Sequence, residues 1–186
     1  MNIYLIRHGK CDYSHIAQTE NCSVANLAPL SEEGRNQAIA IRSYVEQLYQ
    51  PIICSSPYTR TLQTAFLASE SENILIDYRL HEWLPDKNLH CNVKEIAERN
   101  QYFKTNTQNV NYETKNEMCS RFRSAVDDLI ELQKKKRNKP SIVIFSHARV
   151  IASFLETECG QEIYLKNCQI AEVVYERNKF RLNRII

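Results

Sequence analysis

Four short apolar runs punctuate the chain: Asn2-Ile3-Tyr4-Leu5-Ile6, Ile52-Ile53-Cys54-Ser55, residues 74–80 (Ile-Leu-Ile-Asp-Tyr-Arg-Leu) and Ser141-Ile142-Val143-Ile144-Phe145. Runs of this length read as buried strands. Between them the apolar positions recur at helical spacing. Ser31 suits the N-cap of a helix through about residue 49, with Ala38, Ile41, Val45 and Leu48 on one face. Pro57 suits the first turn of a helix reaching about residue 69. Further helices are predicted at about 93–103, 114–137 and 149–156. In the longest, Met118, Phe122, Ala125, Val126 and Leu129 form a stripe that reads as a core face. Lys134-Lys135-Lys136-Arg137 falls at its last turn, where cations complement the helix dipole. Residues 171–176 and 179–183 predict an antiparallel hairpin turning at Arg177-Asn178. Residues 10–29 and 81–90 are polar, irregular and loop-like. Alternating strands and helices make this an α/β chain.

A length of 186 residues fits one domain, 1–186, large enough to bury a core without disulfide or metal staples. The formal charge of +2 is too small to argue for nucleic acid or an anionic membrane surface. No segment has the length of a membrane span and the first residues do not read as a secretory leader, so a cytoplasmic location is expected. The seven cysteines contain no C-x-x-C pair, which removes the zinc ribbon and the thioredoxin-like motif. They read as reduced thiols used as small apolar residues, with Cys11 open as a reactive thiol because it lies close to Arg7-His8. The three glycines, Gly9, Gly34 and Gly160, can form neither a G-x-G-x-x-G loop nor a Walker A loop.

The candidate chemistry collects at strand ends. The first strand runs into Arg7-His8-Gly9 and the one at 141–145 into Ser146-His147, in a chain with five histidines. Arg60 lies one turn into the helix after the second strand, and Glu82 follows the third. If the strands are mainly parallel, all these ends share one edge of the sheet, where ligands of open α/β sheets bind. Arginine forks match phosphate oxygens, and a protonated histidine adds a charged donor. No aspartate cluster suited to magnesium is present, so the protein itself must neutralise phosphoryl charge. A neutral imidazole is a competent nucleophile, and a carboxyl group opposite it can protonate a leaving alkoxide.

Arg7-His8-Gly9, Leu30-Ser31-Glu32-Glu33-Gly34, Ser55-Ser56-Pro57-Tyr58-Thr59-Arg60-Thr61-Leu62-Gln63-Thr64-Ala65, Leu80-His81-Glu82 and Ser146-His147 follow one another across almost the whole chain. In this order they resemble the histidine phosphatase (phosphoglycerate mutase-like) superfamily. The resemblance implies a three-layer α/β/α sandwich whose central sheet is mainly parallel with an antiparallel edge strand. It implies a metal-independent phosphomonoester hydrolase of the histidine acid phosphatase type, working through a phosphohistidine on His8. Arg7, Arg60 and His147 would hold the equatorial oxygens, with Gly9 and Ala148 also at the phosphate, and Glu82 would act as general acid and then as base. No metal or organic cofactor is implied.

Two segments depart from the family pattern. Ala148 stands where a glycine often follows the second histidine, a change that is tolerated unless the position needs φ > 0. Past Glu82 the common Gly-x-Trp-Glu-Gly segment is replaced by Trp83-Leu84-Pro85-Asp86, and 83–117 is expected to be an insertion covering the pocket. Two alternatives stay open: a phosphoglycerate-type phosphomutase and a non-catalytic phosphate-ligand binding protein. Mutases of the superfamily carry a longer insertion past the acid, which favours hydrolysis here. The expected partner is a small phosphorylated metabolite or a phosphohistidine protein, with no nucleic acid and no membrane. An Arg7–Glu82 ion pair in the empty site is compatible with catalysis. Tyr13, Ser14 and Asn26 are candidates to touch phosphate or substrate. His15, His81 and His90 take no assigned role as surface or rim residues, and Gly34 reads as a helix-packing residue.

Overall fold

Alternate residues of the first strand, β1 (Asn2–Arg7), feed two different cores. Ile3 and Leu5 join Met118, Phe122, Val150 and Phe154 on one face, while Tyr4 and Ile6 join Val45, Ala65 and Ala68 on the other. A strand covered on both faces has no polar alternation, which is why β1 and its neighbours read as continuous apolar runs. The computed structural model describes residues 1–105, 111–138 and 140–186. Its sheet contains β2 (Ile52–Ser55), β3 (Ile74–Ile76), β4 (Ile142–Ser146), β5 (Ile170–Glu176) and β6 (Lys179–Ile185), in the order β3-β2-β4-β1-β5-β6. The first four strands in that order are mutually parallel, and β5 pairs antiparallel with β1 on one side and β6 on the other. The architecture is the three-layer sandwich with a mainly parallel sheet.

One helical layer holds α1 (Glu32–Ala40), α2 (Arg42–Glu46) and α3 (Thr59–Ser69), and the other holds α5 (Lys115–Lys134) and α6 (Ala148–Cys159). The remaining helix, α4 (Val93–Thr105), packs on a 3-10 helix, Cys22–Leu27, inside the 10–29 segment. Among the described residues no helix is long and apolar enough to cross a membrane.

Three predicted elements are corrected. The helix over 31–49 is two helices, because Ala38 packs against Leu30 and Cys168 while Val45 packs against Tyr4 and Ile53. Ile41, between them, touches both clusters, and the chain turns there. The strand over 74–80 stops at Ile76, and Tyr78–Leu80 is a 3-10 turn. Asp77 Oδ1 accepts the Arg79 N–H at 2.8 Å, a local bond that competes with the strand ladder. The helix predicted at 149–156 runs from Ala148 to Cys159, where Gly160 at φ +67° ends it in the left-handed conformation.

Register fixes the site. Arg7 lies opposite Ser146, and Ser55 lies opposite Phe145, so β1 and β4 end level and β2 ends one residue earlier. Their next residues, His8, Ser56 and His147, therefore emerge side by side.

Candidate active site

His8 is held by its backbone before its ring does anything. Its N–H donates to Ser146 O at 3.1 Å, and its carbonyl accepts from Asn167 Nδ2 at 2.8 Å. Gly9 is the first correction to the expected site: its N–H donates to Thr64 Oγ1 at 3.0 Å rather than into the pocket. Thr64 in turn donates to Arg60 O at 2.7 Å, so one hydroxyl ties the end of β1 to the first turns of α3. A Cβ on Gly9 would lie 2.5 Å from Gly34 O, and one on Gly34 would lie 2.0 Å from Lys10 O. Both glycines exist for close backbone approach.

The His8 ring sits with Nδ1 2.7 Å from Gly9 O. A carbonyl can only accept, so Nδ1 carries the proton and Nε2 keeps its lone pair. Burial, Arg60 and Arg7 together lower the His8 pKa from 6.5 to about 3, which keeps the ring neutral at pH 7. Cys11 Sγ lies 3.6 Å from His8 Nδ1, but burial pushes its thiol up, away from the thiolate that a reactive cysteine needs.

Two arginines flank this ring. Arg60 is 6% exposed and donates from Nη1 to Ala25 O at 3.1 Å, with Cζ 4.8 Å from the centre of the Tyr58 ring. Arg7 donates from Nη1 to Leu165 O at 2.8 Å. The Nε atoms of both are buried and have no partner among the described residues. A buried guanidinium with an unused donor is what an anion site requires.

His147 is fully buried, its ring centroid 5.2 Å from that of His8 and 5.0 Å from Tyr58. It is not among the residues that line the cavity, and its ring meets that of His8 edge-on. Ser56 Oγ lies 2.8 Å from His147 Nε2, and His147 Nδ1 has no partner among the described residues. With Ser56 donating, Nδ1 carries the proton and is the atom available to an oxyanion. Burial, then Arg60 and His8, hold the His147 pKa well below 6.5. The sequence-level picture of a charged histidine donor therefore changes: in the unliganded site both rings are neutral, and only a bound anion would favour the charged form.

Glu82 comes from the segment after the 3-10 turn. Its Oε1 accepts the Trp83 N–H at 2.9 Å and its Oε2 accepts the Arg149 N–H at 3.3 Å. The Glu82 charge acts on Arg7, but among the described residues no ion pair joins the two. The segment is held by Arg121, a residue that no motif or spacing singles out. Arg121 Nη1 donates to Arg79 O at 2.6 Å and His81 O at 2.8 Å, and Nη2 donates to Glu82 O at 3.1 Å. The same guanidinium pairs with the buried Glu113 carboxylate at 2.5 Å.

Arg7, His8, Arg60, Glu82 and Ala148 share the lining of one cavity of about 600 Å³. Ala148 has no positive φ, so alanine fits there without strain. The opposite wall comes from the 10–29 segment and from residues 83–100, with Tyr13 and Asn26 among its members. Ser14 is not: its N–H turns to Asp12 Oδ1 at 2.9 Å. His81 stacks on Tyr58 at 6.3 Å, His15 is exposed, and residues 106–110 of the expected covering segment lie outside the described residues.

The family model of the histidine phosphatase superfamily (branch 1) matches residues 3–186. The chain belongs to this superfamily. It is 25% identical to an Escherichia fergusonii protein named probable phosphoglycerate mutase GpmB, over 97% of this chain and 87% of that one. Its fold is shared with a mycobacterial glucosyl-3-phosphoglycerate phosphatase solved with VO3 (TM-score 0.74, 20% identity, 98% of this chain and 96% of that one). It is shared equally with a phosphoglycerate mutase from Bacillus anthracis (TM-score 0.77, 17% identity, 98% and 91%). Superfamily membership thus spans phosphatases and mutases. Ser56, Tyr58 and Thr64, which sequence reading left without individual roles, all lie in the block that carried the resemblance.

Proposed function

We propose that this histidine phosphatase superfamily member is a metal-independent phosphomonoester hydrolase working through a phosphohistidine on His8. The observation that carries this reading is the neutral His8 ring, tautomer fixed by Gly9 O, beside two arginines, Arg60 buried and Arg7 half-buried, whose buried Nε donors are unused. His8 Nε2 attacks phosphorus while the ester P–O bond breaks. Arg7 and Arg60 take up the charge on the equatorial oxygens, joined by His147 through its unpartnered Nδ1. Glu82 gives its proton to the departing alkoxide. The resulting carboxylate then removes a proton from water, whose oxygen attacks phosphorus, breaks the N–P bond and releases phosphate with His8 restored.

A concave, half-open cavity of about 600 Å³, rather than a flat surface, supports a small phosphorylated metabolite over a phosphohistidine protein. The mutase reading is favoured by the name of the Escherichia relative, and it predicts that phosphate moves between positions of phosphoglycerate instead of appearing in solution.

The experiment is hydrolysis of 4-nitrophenyl phosphate with a chelator present, for wild type and His8→Ala, with acid-labile phosphoprotein trapped in parallel. Chelator-resistant turnover that drops at least about 10³-fold in His8→Ala, together with loss of the phosphoprotein, is expected. Phosphorylation that survives in His8→Ala would remove the proposed nucleophile.

A further inference from the structure

The cavity is chemically divided. Its charged lining residues are Arg7, the last residue of β1, and Arg60, Glu82 and Arg149, from the segments that follow β2, β3 and β4. The facing wall carries no charge among the described residues. From α4 it presents Val93, Ile96, Ala97 and Asn100, at the i, i+3, i+4, i+7 spacing of one helical face. Leu84, Pro85 and Leu89 continue that surface along the preceding segment. Leu89 is held at φ +55° in a turn organised by the Asp86 carboxylate, which accepts from the N–H groups of Asn88, His90 and Cys91 at 2.9, 3.2 and 3.1 Å. The apolar wall is built rather than incidental.

One atom on it is unsatisfied. Asn100 Oδ1 is buried and has no partner among the described residues. A buried acceptor without a donor is costly, and a ligand that brings an N–H or O–H removes that cost. A carboxylate or second phosphate brought against this wall would lose its water and gain no cation.

Resting on the hydrolase reading, we infer that the substrate is a monophosphate ester whose alcohol portion is uncharged and largely apolar and carries a hydrogen-bond donor for Asn100. The phosphate lies at the strand ends and the apolar body lies along the Val93–Ile96–Ala97 face. Phosphoglycerate, whose body is itself a carboxylate, is the wrong chemistry for this wall.

Calorimetric titration of the wild-type chain with two uncleavable ligands, 1-naphthylmethylphosphonate and 3-phosphonopropionate, tests the division. The naphthyl ligand is expected to bind at least about tenfold more tightly. Equal binding, or preference for the carboxylated ligand, overturns the inference. Ile96→Lys places a cation on the wall and is expected to move the ratio at least about tenfold toward the carboxylated ligand. Val93→Lys makes the same test if the first variant does not fold, and an unmoved ratio in a folded variant again overturns the proposal. For Asn100, at least one member of a set of hydroxynaphthylmethylphosphonates should bind about two- to tenfold better than its parent, a gain lost in Asn100→Leu. If no hydroxyl position responds to Asn100→Leu, the donor assignment is wrong. Binding in the expected order without turnover of 4-nitrophenyl phosphate would count against the hydrolase reading alone. Turnover with the reverse binding order would count against this inference alone.

Discussion

The floor and the wall of the cavity are built by different physics. The floor is a set of strand ends locked to each other by backbone bonds, His8 N–H to Ser146 O and Ser56 N–H to Phe145 O, with Gly9 N–H tied to Thr64 Oγ1. The wall is a loop and a helix, held by side chains such as Asp86, Arg99 and Arg121. A backbone-locked floor tolerates little change in the geometry of the reacting atoms. A wall supported from outside can vary in shape and polarity without disturbing them. Floor substitutions should therefore strike turnover, and wall substitutions should strike binding.

The largest break of that contrast would come from Glu82, the one reacting group carried on the segment that leads into the wall. Glu82→Gln should lower kcat/KM on alkyl phosphates about 10²–10⁴-fold while costing about tenfold or less on 4-nitrophenyl phosphate, whose leaving group needs no proton. Equal losses on both esters would remove its acid role. Arg121 tests the support beneath it. Arg121→Met strands the buried Glu113 carboxylate and should cost about 3–5 kcal/mol in denaturant unfolding, with partial recovery in the Arg121→Met/Glu113→Gln double variant. If the double variant is no better than the single, the stranded charge is not the cause.

The floor has its own pH signature. Because the folded His8 pKa is lowered from 6.5 to about 3, the unfolded chain binds a proton that the folded chain refuses between those values. Stability contributed by the neutral ring is present above pH 6.5 and is lost as the pH falls toward 3; His147, lowered in the same direction, adds to the loss. Unfolding free energy should fall from pH 6.5 to pH 4, with a slope about one proton shallower in His8→Asn. An identical slope in that variant would mean that His8 is not buried as a neutral ring. The smallest effect belongs to the wall. Asp86→Ala frees the turn that holds Leu89 and should raise KM about three- to tenfold, with kcat on the same ester changed less than KM. A kcat loss larger than the KM change would mean that floor and wall are mechanically one unit.

Most of the floor was legible before folding because strand ends announce themselves: a short apolar run stops, and the next residue lies at the sheet edge. That logic places Arg7, His8 and His147, and the helix start after β2 places Arg60. It misjudged Gly9, whose N–H is consumed by a threonine far along the chain, and the 74–80 segment, where Asp77 closes a turn on itself. Arg121 had no sequence signal at all. It sits on an amphipathic helix, and three of its partners are backbone carbonyls, which carry no residue identity; the fourth is the Glu113 carboxylate, which no linear pattern pairs with it.

The sequence by itself determined the strand order of chemistry, the residue types of an anion site and the family, because each depends on local pattern and ordered motifs. Only the tertiary structure decided which donors remain unused, which histidine lines the cavity and which does not, and that the wall is uncharged among the described residues. Those properties depend on which groups burial brings together and which partners it leaves them without, and a linear pattern does not specify either.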